Sequence, residues 1–149
     1  MKIHLATDHA GLDLKNTIKN YLRESGYHVE DHGAYEYDAE DDYPDFIFPC
    51  AKAVSKDKNS YGIILGGSGQ GEAIAANRIR GVRAIVYYGF EKTIPILSRE
   101  HNNANIMALG ARLTKKSDVI KLVNVFLNTK FEGGRHLRRV NTVSYTHLT

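Results

Sequence analysis

The segment Tyr61–Arg78, YGIILGGSGQGEAIAANR, decides the fold of this chain. It contains the apolar run Ile63–Leu65, which is too short for a helix and is typical of a parallel strand buried on both faces. A helical pattern follows, and between the two lie four glycines, at positions 66, 67, 69 and 71. Glycines allow a sharp turn and a close approach of the backbone to a ligand, and a helix N-terminus attracts anions. The segment therefore predicts a strand, an anion-binding turn and a helix, with a ligand-free tight turn as the alternative.

Glu72 lies in the first turn of this predicted helix. An acidic residue there commonly faces solvent and interacts with the helix dipole. Here, however, it directly follows a loop suited to hold a polar oxygen or a phosphate, and Ser68 lies within that loop. A carboxylate in this place could act as a general base if it is partly removed from water. Glu72 is therefore a candidate catalytic residue.

The composition is that of an ordinary globular protein, with 42% hydrophobic and 25% charged residues among 149. This length accommodates one domain with a full core and leaves no room for a second. The net charge is only +3, and the charges are segregated into an acidic stretch at residues 36–45 and a basic cluster at residues 135–139. Such local clustering favours a small anionic ligand over a nucleic-acid partner.

The cysteine content and the hydropathy of the sequence indicate in which cellular compartment the protein is expected. The single cysteine, Cys50, excludes an internal disulfide and favours a reducing compartment. The apolar segment at residues 3–6 is much shorter than the apolar part of a signal peptide, and no run reaches the length of a membrane span. We expect a soluble, cytoplasmic protein without a membrane partner, and we expect Cys50 to lie in its core.

Predicted strands and helices alternate along the whole chain. The predicted strands lie at residues 3–7, 27–30, 61–65, 83–87 and 105–109. Helical patterns follow them from residue 11, from residue 43, behind the glycine loop, at 93–99 and at 117–127. This alternation predicts an α/β domain in which helices cover both faces of a five-stranded, parallel, doubly wound sheet.

Polar residues follow three of the predicted strands. Asp8 and His9 come after the first strand, Gly66–Gly71 after the third and Arg112 after the fifth. In doubly wound sheets, ligands bind at the carboxyl ends of the strands, near the point where the strand order reverses. We therefore expect these residues to converge at one edge of the sheet.

The C-terminal part of the chain carries a second candidate anion site. Gly133 and Gly134 interrupt the chain, and Arg135 and Arg139 then lie one helical turn apart on the same face of a predicted helical tail. Two guanidinium groups placed in this way suit a phosphate. A basic helix end that only faces solvent is the alternative.

Five separated motifs resemble those of type B ribose-5-phosphate isomerase, whose wider family also contains the galactose-6-phosphate isomerase subunits. The resemblance covers residues 1 to about 142, and the motifs occur in the family's order: TDHAG at 7–11, DYP at 42–44, GGSGQGEAIAAN at 66–77, REHNNAN at 99–105 and EGGRHLRRV at 132–140. It implies a Rossmann-like fold and a cofactor-free aldose–ketose isomerase that binds no metal. It also implies active sites built across the interface of a homodimer, either alone or in a dimer of dimers.

The resemblance implies roles for residues in the first half of the chain. Asp8 and His9 would line the sugar site, with Asp8 counted among the catalytic residues. Backbone N–H groups of the glycine loop would stabilise the enediolate oxygens, and Ser68 would assist them. The glycines concerned are Gly67, Gly69 and Gly71.

Residues of the second half would open and hold the sugar. His101 would open the furanose ring, and Asn102 would hold sugar hydroxyls. Three arginines would bind the substrate, chiefly at its phosphate: Arg112, Arg135 and Arg139. Without the motif context, His9 and His101 could equally be surface or capping histidines.

One departure from the family pattern concerns the base. Many members have a cysteine directly before the GTG or GSG of the loop, and this chain has Gly66 there. Another branch has glycine at that position and a glutamate on the following helical turn, which corresponds to Glu72. The resemblance and the position of Glu72 in the sequence thus indicate the same residue, and Cys50 lies in a different element.

Several alternatives remain at this stage. The substrate is expected to be ribose 5-phosphate, with allose 6-phosphate, galactose 6-phosphate and tetrose phosphates as alternatives. A nucleotide-binding module is disfavoured, because the loop follows the third strand and no acidic residue ends the next one. A non-catalytic subunit is disfavoured by the full set of candidate residues. The segment VSYTHL at residues 143–148 does not resemble the family's ending, so we expect an isomerase domain at 1–142 and a non-native extension at 143–149.

Overall fold

The structure is a computed structural model that describes residues 1–89 and 91–145. Within these ranges, five strands form one fully parallel sheet. The strands are β1 (Lys2–Thr7), β2 (His28–Asp31), β3 (Ser60–Gly66), β4 (Ala84–Tyr87) and β5 (Ile106–Gly110). The helices are α1 (Leu12–Glu24), α2 (Pro44–Lys56), α3 (Gln70–Asn77), α4 (Thr93–Glu100), α5 (Lys116–Asn128) and α6 (Arg135–Tyr145).

The strand order is β2-β1-β3-β5-β4, so the direction of winding reverses between β1 and β3. Helices cover both faces of the sheet, and the predicted α/β fold with a C-terminal helix is confirmed. Most predicted elements begin and end within a residue or two of the observed ones. Among the described residues, no helix is long and apolar enough to cross a membrane.

Strand β3 lies at the centre of the sheet and is buried on both faces, as its apolar run predicts. Ile63 and Leu65 face the core formed with α1 and α5, whereas Ile64 faces the core formed with α2 and α3. Cys50 is fully buried on the second face, so the expectation that it lies in the core is confirmed. This central position holds the loop that follows β3 in a fixed place relative to the sheet.

A buried lysine holds the segment that follows β2. Lys15 on α1 is completely buried, and its ammonium group donates hydrogen bonds to the Asp31 carboxylate at 2.7 Å and to the Ala34 carbonyl at 2.6 Å. The Ala34 N–H in turn donates to the Thr7 carbonyl, at the end of β1. These bonds place the acidic stretch after Ala34 beside the residues that follow β1.

The predicted boundary at residue 142 lies within α6, which continues to Tyr145. The end of the proposed non-native extension, residues 146–149, lies outside the described residues. Among residues 135–144 of α6, Val140 and His136 are the buried positions, and they attach this helix to the rest of the domain. Arg135 and Arg139 are both exposed on α6, one turn apart as expected.

Candidate active site

The loops after β1, β3 and β5 lie at the carboxyl edge of the sheet. They carry Asp8 and His9, the glycine loop, and Arg112, respectively. Because β1 and β3 are neighbours at the point where the winding reverses, the first two loops flank the crevice in which doubly wound sheets bind ligands. We refer to this group of residues as the carboxyl-edge cluster.

The glycine loop turns the chain sharply into α3. Gly69 precedes α3 in the left-handed conformation, with φ of 78°, and a Cβ at this position would lie 3.0 Å from the Leu109 backbone carbon. Both the conformation and the close approach favour glycine. The turn leaves the first N–H groups of α3 at the mouth of the crevice, where an anion or a developing oxyanion can accept hydrogen bonds. Ser68 is exposed within the loop, and its hydroxyl accepts a hydrogen bond from the Gln70 N–H.

Glu72 turns from the first turn of α3 back onto the end of β3. Its side chain is buried, with 5% of the residue exposed. A Cβ built on Gly66 would overlap both carboxylate oxygens of Glu72, so only a residue without a side chain fits beneath this carboxylate. A cysteine at position 66 and the observed position of Glu72 therefore exclude each other.

The surroundings of Glu72 favour its neutral form. Burial raises the pKa of Glu72, because the charged carboxylate loses water, and the negative charge of Asp8 raises it further. A raised pKa brings a carboxylate closer to the basicity that proton abstraction from carbon requires. Cys50 is also buried, at a different place, in α2, and this burial raises the pKa of its thiol and makes it a poor nucleophile or base.

Asp8 and His9 lie on the opposite side of the crevice. Asp8 is 9% exposed, and its carboxylate accepts a hydrogen bond from the Ala10 N–H at 3.0 Å. His9 Nδ1 lies 2.6 Å from an Asp41 carboxylate oxygen, which also accepts a hydrogen bond from the His9 N–H at 3.2 Å. The hydrogen bond to Asp41 raises the pKa of His9 and favours the cationic imidazolium. An imidazolium suits an anionic substrate.

Two further side chains lie against the glycine loop. Arg112 lies over Gly67, because a Cβ placed there would be 3.0 Å from the Arg112 guanidinium. The Tyr43 hydroxyl would lie 2.7 Å from a Cβ on Gly71. The crevice thus combines a buried carboxylate, a cationic arginine and a phenol around the N–H groups that open α3.

The other candidate residues lie elsewhere, at the amino edge of the sheet. His101 follows the last turn of α4, and α4 runs back from the end of β4 to the start of β5. The His101 ring stacks on His136 of α6, with 4.2 Å between centroids and 13° between planes. Asn102 and Arg139 line a common cavity of about 360 Å³ with residues at the start of β4. We refer to this group as the amino-edge cluster.

The length of the strands separates the two clusters. A strand advances about 3.3 Å per residue, so the five residues of β5 alone span roughly 17 Å. A pentose phosphate held by Glu72 at one edge therefore cannot reach His101 of the same chain at the other. The structure brings Asp8, His9, the glycine loop, Glu72 and Arg112 together, and it places His101, Asn102, Arg135 and Arg139 apart from them.

Three residues of these clusters were not singled out from the sequence. Asp41 and Tyr43 belong to the acidic stretch and the DYP motif, whose partners cannot be identified before the chain folds. His136 was counted only as part of the basic cluster. In each cluster, three side chains could also hold a metal ion: Asp8, His9 and Asp41 in one, and His101, Glu132 and His136 in the other.

The fold is that of a doubly wound α/β protein, and its carboxyl-edge cluster places a buried carboxylate beside the N–H groups that open α3. The family model described as Ribose/Galactose Isomerase matches residues 3–143. The chain therefore belongs to the ribose/galactose isomerase family.

Relatives with similar sequences carry consistent names. A ribose-5-phosphate isomerase B of Mycolicibacterium paratuberculosis is 40% identical over 97% of this chain and 90% of its own length. A probable ribose-5-phosphate isomerase B of Mycoplasma genitalium is 43% identical over 95% of this chain and 92% of its own.

Solved structures agree with this assignment. The ribose-5-phosphate isomerase B of Mycoplasma genitalium with bound ribulose 5-phosphate superimposes with a TM-score of 0.92, at 40% identity over 97% of this chain and 94% of that one. A ribose 5-phosphate isomerase from Thermotoga maritima gives a TM-score of 0.91 at 41% identity, over 97% of this chain and 98% of that one.

The overlap between position 66 and Glu72 leads to a test. Gly66→Ala should force the Glu72 carboxylate out of its place, because the added methyl group occupies the same space. We expect a loss of about 1–3 kcal/mol in the free energy of unfolding, measured in urea, together with a large loss of activity. Gly67→Ala is the stability control, since its methyl group meets only the flexible end of Arg112.

A double mutant identifies the cause of that loss. If the methyl group acts through Glu72, Gly66→Ala should lower the free energy of unfolding by at least about 1 kcal/mol less in a Glu72→Ala background than in the wild type. An equal loss of unfolding free energy in both backgrounds would show that the added methyl group does not act through the Glu72 carboxylate.

Proposed function

We propose that this protein interconverts ribose 5-phosphate and ribulose 5-phosphate through an enediolate, with Glu72 as the base. The observation that carries the proposal is the buried Glu72 carboxylate, seated over Gly66 beside the N–H groups that open α3. Family membership supports the reaction class, and the relative from Mycoplasma genitalium with bound ribulose 5-phosphate supports the substrate. The same evidence favours an isomerase over a nucleotide-binding module.

The proton moves between two neighbouring carbons. Starting from the aldose ribose 5-phosphate, Glu72 takes the proton from C2, the C1 carbonyl oxygen becomes the oxyanion of the enediolate, and Glu72 returns the proton to C1 to give the ketose. Burial of Glu72 raises its basicity for this step and keeps water from the intermediate. The reaction needs no external oxidant or reductant, because the electrons stay within the sugar.

The oxyanion is stabilised where it develops. Backbone N–H groups of Gly67, Gly69 and Gly71 and the hydroxyl of Ser68 donate hydrogen bonds to the enediolate oxygens. Asp8 lies across the crevice and exchanges the hydroxyl proton between O1 and O2. The His9 imidazolium, held by Asp41, adds positive charge beside the substrate.

The remaining residues come from a second copy of the chain. His101, which opens the furanose ring, lies at the amino edge, as do Asn102, Arg135 and Arg139. A twofold axis that lays the amino edge of one copy against the carboxyl edge of the other completes two identical sites. Arg112 of one copy and Arg135 and Arg139 of the other then surround the phosphate. The active unit is accordingly a homodimer, alone or paired into a tetramer.

The cytoplasm is the proposed location, and the absence of a disulfide supports it. The single cysteine, Cys50, is a free and buried thiol. Other sugar phosphates remain alternative substrates, and a panel that includes allose 6-phosphate and galactose 6-phosphate would identify the preferred one by kcat/KM.

Glu72→Gln tests the base. It retains the size of the side chain and removes its basicity, so kcat should fall by at least ~10²-fold while substrate binding is largely retained. In the wild type, kcat/KM should decline as the pH falls through the raised pKa of Glu72, because protonated Glu72 cannot accept a proton. Cys50→Ser is the control and should remain active. Near-normal turnover of Glu72→Gln, with an inactive Cys50→Ser, would refute the assignment.

Arg135→Ala and Arg139→Ala test the phosphate clamp. Each removes a charge-assisted hydrogen bond, so KM for ribose 5-phosphate should rise by about tenfold or more and inorganic phosphate should inhibit less well. Arg138→Ala is the matched control, because Arg138 is exposed on the same helix between the two. If KM and phosphate inhibition are the same in all three variants, the clamp lies elsewhere.

Subunit complementation tests the shared site. A Glu72→Gln chain and a His101→Ala chain should each be inactive, and re-associated mixtures should recover about a quarter of wild-type activity, since half of the dimers then contain one intact site of two. Glu72→Gln mixed with Asp8→Ala is the control. Both changes lie in the carboxyl-edge cluster of one chain, so every site in that mixture stays damaged. No recovery in the first mixture would assign Glu72 and His101 to the same subunit.

A further inference from the structure

Two histidines and a glutamate meet outside both clusters, where β1 pairs with β2. His4 and Glu30 are register partners, and His32 follows the end of β2. His4 Nδ1 lies 2.9 Å from His32 Nε2, and the Glu30 carboxylate oxygens lie 3.7 Å from the first nitrogen and 3.9 Å from the second. Two ligands about 2.0–2.1 Å from one tetrahedral metal ion are separated by roughly 3.3 Å. The three side chains thus already have nearly the spacing of ligands around a common ion.

His4 is the deeply buried member of this group. His4 is only 3% exposed and lies on the face of the sheet that packs against α2, since its neighbour in the same orientation, Ala6, belongs to that core. Its Nε2 is buried and, among the described residues, has no hydrogen-bond partner. The hydrogen bond between His4 Nδ1 and His32 is therefore the main interaction that offsets the free-energy cost of removing the His4 ring from water. Coordination of a cation by Nδ1 would compensate the burial more strongly.

The charge states of the two histidines suit metal coordination. Burial lowers the pKa of His4 and of His32, so both imidazoles are neutral at physiological pH and each offers a lone pair. Coordination requires both coordinating nitrogens, His4 Nδ1 and His32 Nε2, to be unprotonated, so the ring that donates the present hydrogen bond must change to its other neutral tautomer through proton exchange with water. Glu30 contributes a negative charge: burial raises its pKa, but the hydrogen bond to Lys2 and the charges of Lys2 and the two histidines outweigh that effect and hold the pKa below the ordinary value.

We propose that His4, Glu30 and His32 form a site for a divalent transition-metal ion of the zinc type. Two imidazole nitrogens and one carboxylate match the ligands that Zn²⁺ selects, whereas Mg²⁺ and Ca²⁺ require more oxygen ligands. Glu30 is about half exposed, so a water molecule can occupy the fourth position. The ion would join β1, β2 and the segment that leads to the acidic stretch. It takes no part in the proposed isomerisation.

One neighbouring cation competes for the carboxylate. The Lys2 ammonium group lies 3.3 Å from a Glu30 oxygen, and the Lys2 side chain is partly exposed. Asp57 also adds negative charge near His4. Lys2 can move into solvent when a metal ion binds, so removing its charge should increase the affinity for the ion.

Zinc titration of the untagged chain tests the site. Isothermal titration calorimetry gives the number of Zn²⁺ equivalents, and Co²⁺ as a substitute reports four-coordinate nitrogen and oxygen ligation by its visible absorption. The wild-type protein should bind Zn²⁺ at this site at micromolar concentrations of the ion. His32→Asn and Glu30→Gln should each lose one equivalent or bind it at least ~10-fold more weakly. Lys2→Met should bind it several-fold more tightly.

His28→Asn is the matched control, because His28 lies on the same strand and is exposed. It should keep the wild-type number of equivalents and the Co²⁺ spectrum. Circular dichroism and isomerase activity verify that each variant is folded, and the comparison between variants separates this site from zinc bound at the two clusters. Unchanged stoichiometry and affinity in both His32→Asn and Glu30→Gln, or no micromolar zinc binding by the wild type, would overturn the proposal.

Discussion

The position of the Glu72 carboxylate over Gly66 is the constraint on which the candidate site depends. Placing a carboxylate in a buried position is unfavourable unless hydrogen bonds compensate it, and here burial raises the pKa of the group. The arrangement requires a residue without a side chain at position 66 and a sharp turn at Gly69 that returns the first helical turn onto the end of β3. One glycine thus provides space for the carboxylate, and another sets the direction of the chain.

The parallel sheet imposes a second constraint. All loops that follow strands lie at one edge, and all loops that precede strands lie at the other. His101 precedes β5 and Glu72 follows β3, so no folding of this topology can bring the two together within one chain. If both act on one sugar, as proposed, the second copy is part of the site. Oligomerisation is then a geometric requirement of the reaction.

The main features of the fold could be predicted from the sequence because they are local. An apolar run such as Ile63–Leu65 can be stable only when buried on both faces, and the alternation with helices requires a parallel sheet. The order β2-β1-β3-β5-β4 was not predicted, because the pattern of one strand does not specify its neighbours. Lys15 is similarly instructive: its residue type indicates exposure, and only its contacts with Asp31 and Ala34 make its complete burial possible.

By itself, the sequence determined the α/β class, the glycine turn and the candidate residues Glu72 and Arg112. These follow from neighbouring residues in one segment or from motifs. Only the tertiary structure decided that Asp41 holds His9 and that His136 stacks on His101. Each of these pairs joins residues about 30 or more positions apart. Such contacts depend on how the strands are ordered and how the loops between them close, and no local pattern of residues contains that information.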